Sequence, residues 1–464
     1  MAVPSLSRRA STGFLVVFFF SLMMGGALRA EEEKLPPMPK GPLILTSITP
    51  EQLNPDYWIN RLPNPDQLLI TPESLRAFNE DIHLSLPAVV DVFKMEGAKP
   101  GRTIRDQIEL EYSTVKGRIL FGVDDRRIPP EFFEQAVRPL LQLERIPEKI
   151  KIQWGVVTRP TSVRALPTDV KMLEEIGDVE FDQLQFTLIK LWTPVGIYQE
   201  SSDGQWLYIQ APYTRGWVKA KDIAIFPSRD RMKEFVKSDN FLAVTGESAP
   251  VFSDPGFQQV EQQPSMGTVL PVAERAANAY VIWMPVRGEG GGIVFKRSFV
   301  DLKSDVSIGF LPYTQRNVIR QAFKLLGARY GWGGTYNGRD CSGFTQDVFL
   351  PFGIDMPRGS KEQAYVGTQI DFFRPMRDPE RKIVAIKSGT PGVTLLRMPL
   401  HQMIYLGEAN DQFYAIHSTW AERISLTSDE KNRINQVVVS DLTLNGKSYL
   451  GSLFDRIISV SEVD

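Results

Sequence analysis

One cysteine in 464 residues, Cys341, stands in the run Tyr330-Gly-Trp-Gly-Gly-Thr-Tyr-Asn-Gly-Arg-Asp-Cys-Ser-Gly-Phe344. Phe344, Val348 and Phe349 recur after it at helical spacing, and Asp340 is a natural N-cap, so the pattern predicts a helix whose first turn carries the thiol. Free N–H groups and the helix dipole favour negative charge there, so a lowered thiol pKa and a reactive thiolate are expected. A thiolate nucleophile needs a proton acceptor and a group that aims that acceptor. Two of the three histidines, His401 and His417, follow the cysteine. His401-Gln-Met-Ile-Tyr-Leu-Gly407 reads as a strand with His401, Met403 and Tyr405 on one face and Gln402, Ile404 and Leu406 on the other. Phe413 to His417 reads as the next strand. An antiparallel pair closed between Gly407 and Asp411 brings the two imidazoles together at the far ends. His83, alone and far upstream, reads as a structural or surface histidine.

The elements that must position these groups fill a chain long enough for about three domains. With 53 basic and 55 acidic residues, the net charge of −2 supplies no global field toward nucleic acid or an anionic membrane. A single cysteine excludes an internal disulfide. Arg8 and Arg9 precede an apolar run from Phe14 to Met24, then small residues and Glu31 to Glu33. This reads as a secretory signal over residues 1–30, cut after Ala27 or Ala30, which sends the protein to the periplasm or cell wall. Eleven apolar residues are short for a membrane span, and no later segment reads as one. Residues 31–147 begin with a Pro-rich linker. They continue as a helical N-terminal region, with helix starts at Thr71-Pro72-Glu73 and Ile128-Pro-Pro-Glu-Phe-Phe. Short β-like runs follow over 148–230, the clearest being Gln205 to Pro212. There Trp206, Tyr208 and Gln210 share one face, and Leu207, Ile209 and Ala211 the other. A looser echo occupies 231–311, with Ala279 to Val286, Ile293 to Phe295 and Phe299 to Asp301 as strands. From Thr314 an apolar helical stripe runs to Gly327 and opens the region 312–464, which holds the cysteine and both later histidines.

Together, Tyr-Gly-Trp-Gly-Gly, Asp-Cys-Ser-Gly-Phe, His401 with Tyr405-Leu-Gly, and Ala415-Ile-His-Ser resemble the NlpC family of papain-like peptidoglycan endopeptidases. The resemblance covers roughly residues 312–464. Asp203-Gly-Gln-Trp-Leu-Tyr-Ile-Gln-Ala-Pro212 and Gly216-Trp-Val resemble the end of bacterial SH3-like domains. The implied fold is multidomain α+β: a papain-like catalytic domain preceded by two SH3-like β-barrels and the helical N-terminal region. The chain departs from the family at His401-Gln402-Met403, where members often have His-Val-Gly or His-Val-Ala, and in a slightly long gap from His401 to His417.

The resemblance implies a triad of Cys341 as nucleophile, His401 as general base and then acid, and His417 orienting His401. The Cys341 N–H and the Tyr330 hydroxyl would hold the oxyanion. Asp340 and Ser342 are placed to contact the stem peptide, and Trp332 to contact substrate or to pack as a core aromatic. Ser360 with Gln363 reads as a capping box. The loop from Thr158 to Asp169 is the candidate wall of the groove, with Arg159, Arg164 and Asp169 facing a charged peptide. The implied reaction is hydrolysis between γ-D-glutamyl and a diamino acid, usually diaminopimelate, with no metal or organic cofactor. The partners are peptidoglycan and its stem peptides. An amidase cutting between muramic acid and L-alanine, and a catalytically dead wall-binding protein, are the alternatives.

Overall fold

Proline and acid mark the helix starts of the N-terminal region, and the helices form where they point. The computed structural model describes residues 41–464; the expected signal and nearly all of the Pro-rich linker lie outside the described residues. Helix α1 spans Pro55–Ile59 and α2 spans Pro72–Ser85; Thr71 caps α2 by accepting from the Ser74 N–H. Helix α3 spans Gly101–Lys116, and a broken helix over 130–141 starts at Pro130. These helices share no core of their own. Trp58, Ile59 and Ile82 pack with the C-terminal part of the chain, while Ile104, Ile108 and Tyr112 pack on the sheet that follows.

That sheet has seven antiparallel strands: β1 Gln153–Val157, β2 Thr161–Arg164, β3 Gln185–Ile189, β4 Pro194–Glu200, β5 Trp206–Ala211, β6 Thr214–Lys219 and β7 Ile223–Phe226. Their order is β3-β2-β6-β5-β4-β1-β7. One interior cluster draws Val157, Val163, Ile189, Val195, Leu207, Val218 and Ile223 from all seven strands, so the sheet is rolled around it. Strand β5 is buried on both sides. Leu207, Ile209 and Ala211 face the interior, whereas Trp206 and Tyr208 lie in the outer core under α3, where Tyr208 donates to Glu111 at 2.9 Å. Alternation in β5 therefore separates two cores rather than core from solvent.

A second seven-stranded antiparallel sheet follows α4 (Arg229–Val236). Its strands are β8 Phe241–Val244, β9 Val251–Phe252, β10 Val260–Gln262, β11 Val269–Arg275, β12 Ala279–Arg287, β13 Ile293–Asp301 and β14 Val306–Ile308, in the order β10-β9-β13-β12-β11-β8-β14. The two short runs expected after Gly292 form the single strand β13. Leu242, Val244, Ile282, Met284 and Val300 extend the same core that covers the first sheet.

The C-terminal part opens with α5 (Gln315–Lys324), capped by Thr314, and α6 (Cys341–Phe349). After α7 (Ser360–Gln363), strand β15 (Thr368–Phe372) and α8 (Pro379–Ser388) come β16 Thr394–Met398, β17 His401–Ala409, β18 Gln412–Arg423 and β19 Lys431–Asp441, then α9 (Leu453–Arg456) and β20 Ser459–Glu462. The antiparallel order is β15-β20-β16-β17-β18-β19. Helices cover both faces, so strand β17 alternates between two cores. Ile404 and Leu406 pack with Val318, Ile319, Phe344 and Val348, and Met403 and Tyr405 pack with Ala385 and Ile386. Among the described residues no helix is long and apolar enough to cross a membrane.

Charge ties the three parts together at one buried junction. Asp347 of α6 pairs with Lys190 at 2.8 Å and with Arg339 at 2.7 Å, Lys190 also reaches Ser265 at 2.8 Å, and Arg339 donates to the Glu247 carbonyl at 3.2 Å. His83 contacts Asp355 at 3.0 Å, linking α2 to the segment before α7.

Candidate active site

Asp340 caps α6 by accepting from the Gly343 N–H at 2.8 Å, which places Cys341 in the first turn. The Cys341 N–H has no preceding helical carbonyl to bond. The thiol lies against the hairpin between β16 and β17, with Sγ 3.8 Å from the Leu400 carbonyl. N–H groups of Gln402 and Ser342 also point at the sulfur and favour its anion. Burial and the charge of Asp340 oppose them and win: the thiol is pushed up to about 12, against the expected lowering. A helix N-terminus supplies only partial charge, whereas burial removes most of the hydration a thiolate needs.

The β17–β18 pairing sets Ile404 opposite Ile416; His417 is one residue from Ile416 and His401 three from Ile404, so the two imidazoles meet on the diagonal. His401 Nε2 and His417 Nδ1 are 2.8 Å apart, and His417 Nε2 lies 2.9 Å from Ser440 Oγ on β19. These contacts engage His401 through Nε2, leaving Nδ1 as its other ring nitrogen. Burial, reinforced by the nearby Arg456 guanidinium, lowers His401 to about 4. His417 is fully buried and falls well below the ordinary range, through burial first and His401 second. The resting site is therefore a neutral thiol beside neutral imidazoles.

Around this core the sequence located some partners and missed others. Ser342 is adjacent, but the residue that binds Asp340 and Ser342 together is Arg358, which sequence reasoning passed over. Its guanidinium donates to Asp340 Oδ2 at 2.6 Å, Ser342 Oγ at 2.8 Å and Thr187 Oγ1 of β3 at 2.8 Å. Burial alone would raise the Asp340 carboxyl; Arg358 and the N–H groups of Gly343 and Gly333 outweigh it and hold the carboxyl below its usual range. The Tyr330 ring is buried, and its hydroxyl is raised well above the phenol range by burial, then by Asp340 and Cys341. Ser360 and Gln363 form no capping box. Gly359 is the cap residue, and the fully buried Gln363 instead donates to the Ser342 carbonyl at 2.8 Å and to the Pro357 carbonyl at 2.9 Å, bracing the turn that follows Cys341.

The first sheet does reach this region, though not through the expected segment. Residues 161–164 are strand β2, and their charges are used internally. Arg164 is buried against Asp182 at 2.7 Å and the Val170 carbonyl at 2.9 Å, Arg159 binds Asp222 at 2.5 Å, and Asp169 binds Lys219 at 2.5 Å. Arg164, a buried arginine with a buried carboxylate partner, is held by the fold, which corrects the expectation that it faces a peptide; the Arg159 side chain remains exposed above the buried Asp222. The contacts come instead from residues 180–182. The Phe181 ring lies 6.2, 5.5 and 5.3 Å from the rings of Tyr330, Trp332 and Trp420. Trp332 donates to the Asp182 carbonyl at 3.2 Å, so it packs at this junction. Glu180 accepts from Trp420 at 2.9 Å and pairs with Arg329 and Arg433. The paired glycines before the cysteine serve the same contact: a Cβ on Gly334, at φ +81°, would come within 2.8 Å of the Leu188 Cβ.

The geometry is that of a buried thiol at a helix start beside a His-His-Ser chain, with a segment of the first sheet against its flank. Residues 327–442 match the family model described as NlpC/P60 family, and residues 173–219 match that of an SH3 domain of the SH3b1 type. Among curated proteins, the chain is 27% identical over 217 residues to a γ-D-glutamyl-L-lysine dipeptidyl-peptidase of Bacillus cereus, covering 45% of this chain and 57% of that protein. It is 33% identical over 109 residues to a probable endopeptidase NlpC homolog of Haemophilus influenzae, covering 23% and 50%. The chain thus spans about half the length of the curated relatives it matches. An NlpC/P60 endopeptidase structure from Photobacterium damselae subsp. piscicida aligns with a TM-score of 0.69 at 18% identity, covering 92% of this chain and 98% of that one, and so shares its fold. These matches make residues 327–442 an NlpC/P60-family domain and residues 173–219 an SH3 domain of the SH3b1 type, joined in one chain.

Proposed function

We propose that the protein is an exported cysteine endopeptidase that hydrolyses the bond between γ-D-glutamyl and a diamino acid in peptidoglycan stem peptides. The observation that carries this reading is Cys341 at the start of α6 beside the chain His401–His417–Ser440. His401 Nδ1 takes the thiol proton as Sγ attacks the γ-carbonyl carbon, and the Cys341 N–H with the Tyr330 hydroxyl receives the oxyanion. On collapse the C–N bond breaks, the imidazolium returns its proton to the departing amine, and water then cleaves the thioester through the same imidazole. His417, fixed by Ser440, holds the His401 ring. Asp340, Ser342 and Arg358 line the approach to the thiol and receive the amine or carboxylate of the stem peptide. The name of the Bacillus cereus relative supports the γ-D-glutamyl specificity. The second seven-stranded sheet is read as a further SH3-like module, and both modules as contacts to the wall.

Mass spectrometry of digests tests the reading. Incubation with L-Ala-γ-D-Glu-diaminopimelate is expected to release free diaminopimelate, and incubation with purified sacculi to give stems ending in D-glutamate. Release of intact stems from muramic acid, or of products that persist in the Cys341→Ala protein, would overturn it.

A further inference from the structure

On the sheet face turned toward α6, four strands set Phe372, Ser459, Arg397 and Gln402 side by side: Phe372 is paired with Ser459, Ser459 with Arg397, and Arg397 with Gln402. One step along the strands, Gln369 and Ser461 are neighbours in the same way. This row carries a concentration of unsatisfied polar atoms. Both side-chain polar atoms of Gln402 and of Gln369, the hydroxyls of Ser459 and Ser461, and Arg397 Nε are buried without a hydrogen-bond partner. Gln402 and Ser461 are 0% exposed and Ser459 1%. Well over nine in ten buried polar groups in folded proteins are paired, so five neighbours with orphaned atoms mark a place built for something other than packing. Arg397 has no carboxylate partner among the described residues, and a guanidinium set among amides and hydroxyls is complementary to a carboxylate, which it can bind by two parallel hydrogen bonds.

The row adjoins the proposed active site. Gln402 follows His401, and its backbone N–H points at the Cys341 sulfur. At the other end, the half-exposed rings of Phe372 and Tyr365 lie 5.7 Å apart and form an apolar rim.

We propose that this row is a carboxylate subsite of the peptidase groove, with Arg397 as its specificity residue and a free carboxylate of the substrate as its ligand. The inference rests on the peptidase reading above. Two carboxylates meet the description, the α-carboxylate of the D-glutamyl residue and one on the departing diamino acid.

The test measures binding in the Cys341→Ala chain, which cannot turn over. Calorimetry compares L-Ala-γ-D-Glu-diaminopimelate with one analogue whose D-glutamyl α-carboxylate is an amide and another whose diaminopimelate carboxylates are amides. Adding Arg397→Gln is expected to weaken the parent peptide about tenfold or more, while one analogue binds equally to both proteins; that analogue identifies the carboxylate read. Equal weakening of all three ligands, or of none, overturns the subsite. Should Arg397→Gln fail to fold, the Arg397-containing protein decides alone: two amide analogues bound as tightly as the parent also overturn it. Turnover by the unaltered chain is scored separately. Hydrolysis without charge-selective binding sinks the subsite and leaves the peptidase, whereas charge-selective binding without hydrolysis does the reverse.

Discussion

At Cys341 two opposed effects meet, and their balance sets the pH behaviour. With the thiol at about 12 and His401 at about 4, the thiolate fraction at neutral pH is roughly one in 10⁵, against a few per cent for an ordinary cysteine. On the proposed mechanism the thiolate therefore forms as the sulfur attacks, by proton transfer to a neutral imidazole. Activity requires that imidazole unprotonated, and because its pKa is lowered it stays so down to about pH 4. The acid limb of kcat/KM is accordingly expected near 4, and a limb near 6.5 would show that burial does not govern His401. Alkylation of the free protein by iodoacetamide should be slow at pH 7 and rise about tenfold per pH unit through pH 9. Stability follows the same groups. Both histidines bind protons less readily folded than unfolded, so the unfolded chain takes up more protons below about 6.5, and the melting temperature should fall as pH drops from 7 to 5. Replacement of Cys341 by Ala should lower turnover by more than about a thousandfold without changing the melt. His401→Ala should be nearly as damaging and His417→Ala less so; a reversed order in single-turnover rates would reverse the two roles.

At the scale of elements, what was legible in the sequence was local. Asp340 and Thr71 as caps and the two faces of β17 follow from spacing within a few residues. The meeting of His401 with His417 followed from one short turn. Arg358 and Ser440 were not legible because each is a single polar residue whose partners lie far along the chain, and nothing in its neighbours marks it. Ser360 and Gln363 misled for the opposite reason: the local motif was present, but the Gln363 side chain is bound to carbonyls at Pro357 and Ser342 instead. Arg164 looked like a loop charge and is a strand charge facing Asp182. Removing it leaves that carboxylate buried beside only the Met172 and Leu184 N–H groups, a loss of about 3–5 kcal/mol. Arg164→Met should thus lower the urea midpoint markedly and, because Asp182 adjoins Phe181, should raise KM more than it lowers kcat. An unchanged midpoint would mean that the pair is solvated.

Across the whole molecule, the parts read as separate along the chain share cores. Leu45, Ile48, Trp58, Ile59, Ile70 and Ile82 are built into the core beneath α6, and Leu43 donates to the Gln436 side chain at 2.8 Å. Burying one large apolar side chain is worth roughly 1.5–3 kcal/mol, so several together exceed much of a domain's net stability. Residues 312–464 expressed alone should consequently melt well below the full chain and bind a hydrophobic dye, while an equimolar peptide covering 43–89 should restore part of the loss. A fragment as stable as the whole would show that these contacts are incidental.

The same shared core governs timing. Trp58 is made long before Tyr414, against whose ring it packs at 5.1 Å, and the Tyr313 hydroxyl bonds the carbonyl of Val463, 150 residues further on. Contacts this distant in sequence form slowly, because the loop must close before they give any return. A chain in which strand β20 has not yet paired therefore has not closed the core beneath α6, and on the proposed reading the thiol becomes competent only after that pairing.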